Sequence, residues 1–421
     1  MDNDNNLNVI VSNGLRNFHL SSAASESDKR GTLKALFTGI YPNNLIRRVF
    51  VGLRLEGKGK LAKLFGRRVQ INETLIHTFL FSDVIGEISW LAGRFKSLKG
   101  VALKLNTYSM EIFANSARNA IKRTSLQFKI YHYRAGFGSV SLVAAKAKGA
   151  ILLCDHSIAH PLLLDKLIDE DGQMRSISDR SSIDKMWQLV LADIEAADHV
   201  VVNSDFVKKT FDYVGFPSDR LSVIYLGVDD TFAGSIPRRK IKNRGDELKF
   251  LFAGAFSKRK GAEVLLDAMS GLPASGWVLS VAGTIEPHLE SAFKTAQKQY
   301  PIQYLGNLTR EQLALAMSEA DIFVFPSLAE GSARVIFESM ACGCFIITTP
   351  NAGSIVRDRV HGYLIEAGSA NSLLDAMNNA LKHDSIARIG AANAELIAHS
   401  YTQRTYGEKL AELYKALVAR K

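Results

Sequence analysis

Glu330 and Glu338 stand eight positions apart in the stretch from Ala320 to Pro350, ADIFVFPSLAEGSARVIFESMACGCFIITTP. On one continuous helix, eight residues would separate them by ~12 Å of rise and about 80° of azimuth. The pattern around them argues against one helix. Ile322 to Phe325 is a short β-favouring apolar run closed by Pro326, and Ser327 to Gly331 read as a turn. From Ser332 or Ala333 to Ala341, Val335, Ile336, Phe337 and Met340 fall at helical spacing, and Gly343 ends the helix. A second strand, Phe345 to Thr348, follows. Glu330 therefore belongs to a loop and Glu338 to the first or second helical turn. Between them the free N–H groups of a helix start, from Gly331 through Ser332, Ala333, Arg334 and Val335, suit a phosphate. One acid can hold sugar hydroxyls, the amides a diphosphate, and the other acid a ribose diol.

Strand, loop, helix and strand make one βαβ unit, whose ligand side is the loop where strand gives way to helix. Other candidate groups sit at similar junctions. Gly254 closes a strand that begins at Lys249, and Arg259, Lys260 and Gly261 follow on a short loop. Two cations there could stabilise a departing phosphate. Phe128 to Tyr131 reads as a strand delivering His132, Tyr133 and Arg134 to its carboxyl end. Ala150 to Cys154 reads as the next, followed by Asp155-His156-Ser157. Near the start, Leu7 to Ser12 is a strand turned by Asn13-Gly14, and Leu33 to Thr38 is another.

The central stretch resembles the signature of the family 4 glycosyltransferases, retaining enzymes of the GT-B fold. The resemblance rests on Pro326-Ser327, Glu330-Gly331, Glu338-Ser339-Met340-Ala341 and Gly343. The sequence departs from the family pattern at Ser332, Ala333 and Ser339. Gly254 to Gly261 is similar to the family's Gly-Arg…Lys-Gly segment, with Lys260 at the diphosphate lysine. Ala255 stands where the arginine is usual, and in this reading Arg259 supplies the charge. His132 matches the histidine that faces the donor sugar, and His156 a histidine of the following loop. Gly14 stands alone where the family has paired glycines. The resemblance is strongest from Asp198 to Gly368.

It implies an α/β chain with two Rossmann-like domains facing a deep cleft. Residues 1–236 would form an acceptor-binding domain completed by a last helix, 402–421, that crosses back. A basic linker would span 237–247, and residues 248–401 would bind the donor. The implied reaction is hexosyl transfer from a nucleotide diphosphate sugar to a glycolipid or oligosaccharide acceptor. In it Glu330, Lys260, Arg259 and His132 would be catalytic, and Glu338, Gly254 and residues 331–335 would hold the donor. Gly14 and His156 would lie on the acceptor or sugar side. No Asp-x-Asp cluster stands in the motif, so neither an essential metal nor a cofactor is expected. A non-catalytic sugar-nucleotide-binding or membrane scaffold protein on the same fold is the alternative, because fold does not fix activity.

Composition bounds these readings. The 421 residues are 47% hydrophobic, enough for two cores. Three cysteines, Cys154, Cys342 and Cys344, make no disulfide or metal-ligand framework and suit a reducing compartment. The start MDNDNNLN lacks the features of a signal peptide, and the best candidate for a membrane span, Leu75 to Gly93, is interrupted by His77, Asp83 and Glu87. A cytoplasmic protein, peripheral on the inner face of a membrane, is expected. The net charge of +10 is concentrated: residues 43–130 hold 16 Lys and Arg against 5 Asp and Glu. Arg47, Arg48, Arg54, Lys58, Lys60, Lys63, Arg67 and Arg68 alternate with apolar residues, as on a surface that lies on anionic lipid. Nucleic acid is not expected as a partner, since no zinc-finger, helix-turn-helix or stacking pattern accompanies the charge.

Overall fold

The computed structural model describes residues 7–16, 18–41, 70–233 and 247–421. Among these, thirteen strands form two sheets. The first contains β1 (Val9–Gly14), β2 (Leu33–Thr38), β3 (Ile76–Thr78), β4 (Ile130–Arg134), β5 (Ile151–His156), β6 (His199–Val202) and β7 (Leu221–Val223). The second contains β8 (Leu248–Ala253), β9 (Trp277–Ala282), β10 (Ile302–Gly306), β11 (Ile322–Phe325), β12 (Phe345–Thr348) and β13 (Gly362–Leu364). Strand order is 3-2-1-4-5-6-7 in one and 10-9-8-11-12-13 in the other, parallel throughout. Each sheet thus reverses its winding once, between β1 and β4 and between β8 and β11. In such sheets ligands bind outside the carboxyl ends of the strands at that reversal.

The central strands are nearly continuous apolar runs because helices cover both their faces. Ile322–Phe325 and Phe345–Thr348 are wholly buried. The second sheet and its helices share one core, while the two faces of the first sheet pack into separate cores. One of these is closed by the last helix, Gln403–Ala419, through Tyr406, Leu410, Tyr414 and Leu417. Thr402 caps that helix by accepting from the Thr405 amide at 3.1 Å.

The chain passes from the first sheet's unit to the second near Val228 and returns near Thr402. These two points pair in a parallel bridge, with the Val228 amide 2.8 Å from the Tyr401 carbonyl. A side chain on Gly227 would collide with the Thr402 backbone, so the close approach requires glycine. The residues Arg47 to Arg68, and most of the span 237–247, lie outside the described residues.

Candidate active site

At the reversal of the second sheet, the loops leaving β8 and β11 lock together. A 3₁₀ turn, Lys258–Lys260, ends on Gly261 at φ +76°, against the Pro326 carbonyl, where no Cβ fits. The Arg259 carbonyl accepts from the Leu328 amide at 2.8 Å and the Ser327 hydroxyl at 3.0 Å. That anchoring aims both cations at Glu330. Arg259 Nη1 lies 2.7 Å and Lys260 Nζ 3.6 Å from Glu330 Oε1. Neither contact is an aligned hydrogen bond to Oε1, so the carboxylate oxygen retains unused capacity. Arg259 also donates to the Ala329 carbonyl at 2.9 Å, and Lys260 lies 5.0 Å above the Phe325 ring. Gly254, at φ +131°, leaves room for Lys260, since a Cβ there would sit 3.0 Å from Nζ.

The helix entering from this loop is Arg334–Ala341, with Ala333 as an N-cap that offers no side-chain acceptor. The Ala333 amide is spent on the Ala352 carbonyl at 2.9 Å. The amides of Arg334 and Val335 have no partner among the described residues. The buried Ser332 hydroxyl is also unpartnered. Unspent donors and a half-spent carboxylate thus meet at one helix start, an arrangement suited to a phosphate-bearing ligand rich in oxygen.

Glu338 lies on the second turn of the same helix, with its side chain 9% exposed. Its nearest cations, Arg310 at 3.8 Å and Arg334 at 3.9 Å, are too distant for hydrogen bonds. Burial pushes its carboxyl above the ordinary value, and the charges of Arg334 and Arg310 offset this only in part. The next loop buttresses the site from behind. Asn351 accepts the Glu330 amide through its carbonyl at 3.0 Å, and its side chain donates to Leu328 and Gly172 carbonyls at 2.9 and 2.6 Å.

Facing this is a cavity of about 220 Å³ at the reversal of the first sheet. Its walls include Arg16 and Phe18 after β1, Arg134 at the end of β4, and Asp155, His156 and Ser157 at the end of β5. Gly14, at φ +76°, ends β1 where any side chain would strike the Phe137 ring. His156 is buried, with Nε2 3.3 Å from the Ala159 carbonyl. Desolvation, above all, draws its pKa down to about 4, so the ring is neutral near pH 7.

His132 is placed differently from the sequence expectation. β4 runs through Arg134, so His132 occupies mid-strand rather than a loop at its carboxyl end. Side chains alternate across a strand, and this one turns toward the last helix. Its Nδ1 is 2.8 Å from the Tyr414 hydroxyl and its Nε2 3.5 Å from Asp155 Oδ2. The ring is entirely buried, and burial lowers its pKa. It does not open on the cleft.

Three groups to which the sequence assigned no role converge here. Asp155 pairs with His19 at 2.7 Å. Burial alone would raise its pKa, but the charge and hydrogen bond of His19, with His132 close by, hold the carboxyl well below the usual range. Arg134 projects into the cavity, its guanidinium 3.9 Å over the Phe18 ring. Asp193 accepts the amides of Gly136, Gly138 and Ser139 at 2.8, 2.7 and 2.7 Å, fixing the loop after β4; its burial pushes it up to about 6 against those three bonds. The glycines of that loop were visible in the sequence, but the acid that binds them lies over fifty residues away.

The two sites touch. Gly331 packs on the Ser157 carbonyl with no space for a Cβ, and its own carbonyl accepts from the Ser204 hydroxyl. Ser204 is also the N-cap of the Asp205–Tyr213 helix, accepting from the Val207 amide at 3.2 Å.

Two parallel sheets facing each other across a cleft, with cations and an acid at a helix start, define a GT-B glycosyltransferase. Family models agree: Glycosyltransferase Family 4 matches residues 94–232 and Glycosyl transferases group 1 matches residues 236–396. The chain belongs to this group 1, family 4 class and is a nucleotide-sugar-dependent glycosyltransferase. An uncharacterised glycosyltransferase of Methanocaldococcus jannaschii is 27% identical over 293 residues, 68% of this chain and 73% of that one. A putative colanic acid biosynthesis glycosyltransferase of Salmonella typhimurium is 23% identical over 218 residues, 48% of this chain. The match spans 53%, about half, of that relative. The crystal structure of Anabaena HepE in complex with UDP-glucose superposes with a TM-score of 0.59 at 15% identity, covering 97% of this chain and 99% of the other. At that identity the likeness concerns the fold.

Proposed function

We propose that the protein transfers a sugar, with retention of anomeric configuration, from a nucleoside diphosphate sugar to a glycan or glycolipid acceptor in surface polysaccharide synthesis. The observation that carries this is the cluster of Arg259, Lys260 and Glu330 beside the unpartnered amides of Arg334 and Val335. The diphosphate rests on the cations and amides, Glu330 holds sugar hydroxyls, and Glu338 holds the ribose. The bond from the anomeric carbon to the phosphate oxygen breaks on the face where the acceptor oxygen bonds. The acceptor's proton passes to that phosphate oxygen, whose growing charge Arg259 and Lys260 stabilise. His156 and Asp155 line the acceptor side. His132 acts one step back, by orienting Asp155. UDP-glucose in the Anabaena structure makes UDP sugars the first donors to try, and the Salmonella relative's name supports a polysaccharide acceptor.

The test is product stereochemistry with an α-linked UDP sugar, read by NMR. An α-linked product, or α-sugar from donor hydrolysis, supports the reading; a β-linked product overturns it. Lys260→Ala should lower kcat roughly a hundredfold, and a change confined to KM would remove its role in the transition state.

A specific observation favours an anionic membrane as the place of action. Helices Leu80–Ala92 and Lys99–Arg123 pack as a hairpin that leaves Leu80, Phe81, Ile88, Phe95 and Val101 exposed, Phe81 by 66%. Arg94, Lys99 and Lys104 are exposed beside them. Apolar side chains ringed by cations are what a peripheral protein inserts into anionic lipid. Among the described residues no helix is long and apolar enough to cross a membrane. Sedimentation with anionic vesicles should carry the protein down, and Phe81→Asp with Phe95→Asp should leave it in solution. Equal recovery in the supernatant with anionic and neutral vesicles removes the membrane from the proposal.

A further inference from the structure

Arg134 is a half-buried cation of the cleft with most of its donors unused. A guanidinium carries five N–H donors in a rigid fork. Among the described residues, Arg134 makes one long hydrogen bond, 3.4 Å to the Leu15 carbonyl, and no ion pair. Its other contacts are aromatic faces, Phe18 at 3.9 Å and Phe137 at 5.1 Å, which hold the plane of the group without using its donors. The nearby carboxylates are committed elsewhere. Asp155 is bound to His19, and Glu87 lies 3.4 Å from Arg16 Nε at the rim of the same cavity. Arg16 also donates to the Gly86 carbonyl at 3.1 Å. Keeping a cation out of water without a partner is costly, and desolvation, aided by Arg16 and opposed by Asp155, draws Arg134 down to about 10. A fork held by packing, donors free and facing a 220 Å³ cavity, is a preformed oxyanion receptor.

Resting on the glycosyltransferase reading, we propose that the acceptor is an anionic sugar, whose carboxylate or phosphate binds Arg134 in the first-domain cavity. The site lies on the opposite side of the cleft from Lys260 and Glu330, so it reads the acceptor and leaves the donor diphosphate to the second domain. Trp187 and Met186, on the cavity wall, provide an apolar face for the sugar ring.

The experiment compares glucuronic acid, glucose 6-phosphate and glucose, at equal ionic strength, as ligands of the full chain. Binding is read by calorimetry, and UDP binding is measured in parallel. One anionic sugar should bind at least tenfold more tightly than glucose, and the two arms tell carboxylate from phosphate. Arg134→Gln should remove that preference, Arg134→Lys should restore part of it, and UDP affinity should stay unchanged in both. Should Arg134→Gln fail to fold, Arg16→Gln at the rim tests the same field and should weaken the anionic sugar alone. Equal affinity for all three sugars, or an anionic preference that survives Arg134→Gln, overturns the proposal. Absence of UDP binding to the unaltered protein would instead count against the donor-site reading, a separate result.

Discussion

Glu338 is a residue on which stability and activity pull in opposite directions. Its folded pKa is raised above the ordinary 4.5, chiefly by burial. Its contribution to stability is therefore fully present below the unfolded value and is lost as pH rises through the folded one. Ionising the buried carboxyl costs stability, which the two distant arginines only partly correct. Glu338→Gln should accordingly keep or raise the thermal midpoint at pH 7. If the carboxylate binds a ribose diol, the same change should cost about 1.5–3 kcal/mol of nucleotide affinity, readable by calorimetry. Loss of both stability and affinity would make Glu338 a structural group. Asp155 is the converse case. Its carboxyl is depressed below the ordinary 3.8, so its stabilisation is present above that value and disappears as pH falls through the folded one. Asp155→Ala leaves two buried histidines without their carboxylate and should cost about 3 kcal/mol at neutral pH. In urea titrations the gap between variant and wild type should narrow toward pH 3; a gap independent of pH would sink the ion-pair account.

The legibility of each element followed from how local its causes were. The unit from Ile322 to Thr348 was readable because strand, turn, helix stop and second strand are written in adjacent residues, and its two acids fall where the pattern put them. The sequence pattern places β4 two residues early at its start and three at its end. No breaker adjoins it on either side, and the three-residue difference at the end moves His132 from a loop into the sheet. His19, Asp155 and Arg134 gave no joint signal, because the fold, and no spacing, brings residues 136 positions apart to 2.7 Å. The hairpin of residues 80–123 was obscure for another reason. Apolar residues lie on its outer face as well as its inner one, which blurs the helical period that a one-sided core would leave. The last helix offers a direct test of element docking. Its Tyr414 hydroxyl is bonded to buried His132, so Tyr414→Phe should cost about 1 kcal/mol in chemical denaturation. No change would mean that the ring packing alone holds the helix.

At the scale of the whole molecule, the two sides of the cleft meet where Gly331 packs on the Ser157 carbonyl. Backbone cannot yield there as a flexible side chain would. Gly331→Ala should therefore wedge the halves apart, leaving each sheet intact. Turnover should fall while the thermal midpoint holds. A collapse of the midpoint would show instead that this glycine is needed for folding.

The pairing of Val228 with Thr402 has a consequence for inheritance. The chain leaves and re-enters the first sheet's unit at one point, so the unit built on the second sheet is a cassette whose two ends already touch. Grafts tolerate such junctions because no strand or core helix has to be cut. Exchanging residues 229–401 for the same span of a GT-B protein with another nucleotide preference should give a folded chimera with the transplanted donor preference and the original acceptor. A chimera that folds but keeps the parental donor would mean that donor choice is written in the first domain. New sugar transfers could then arise by recombination at a single paired junction, with no change at the acceptor face.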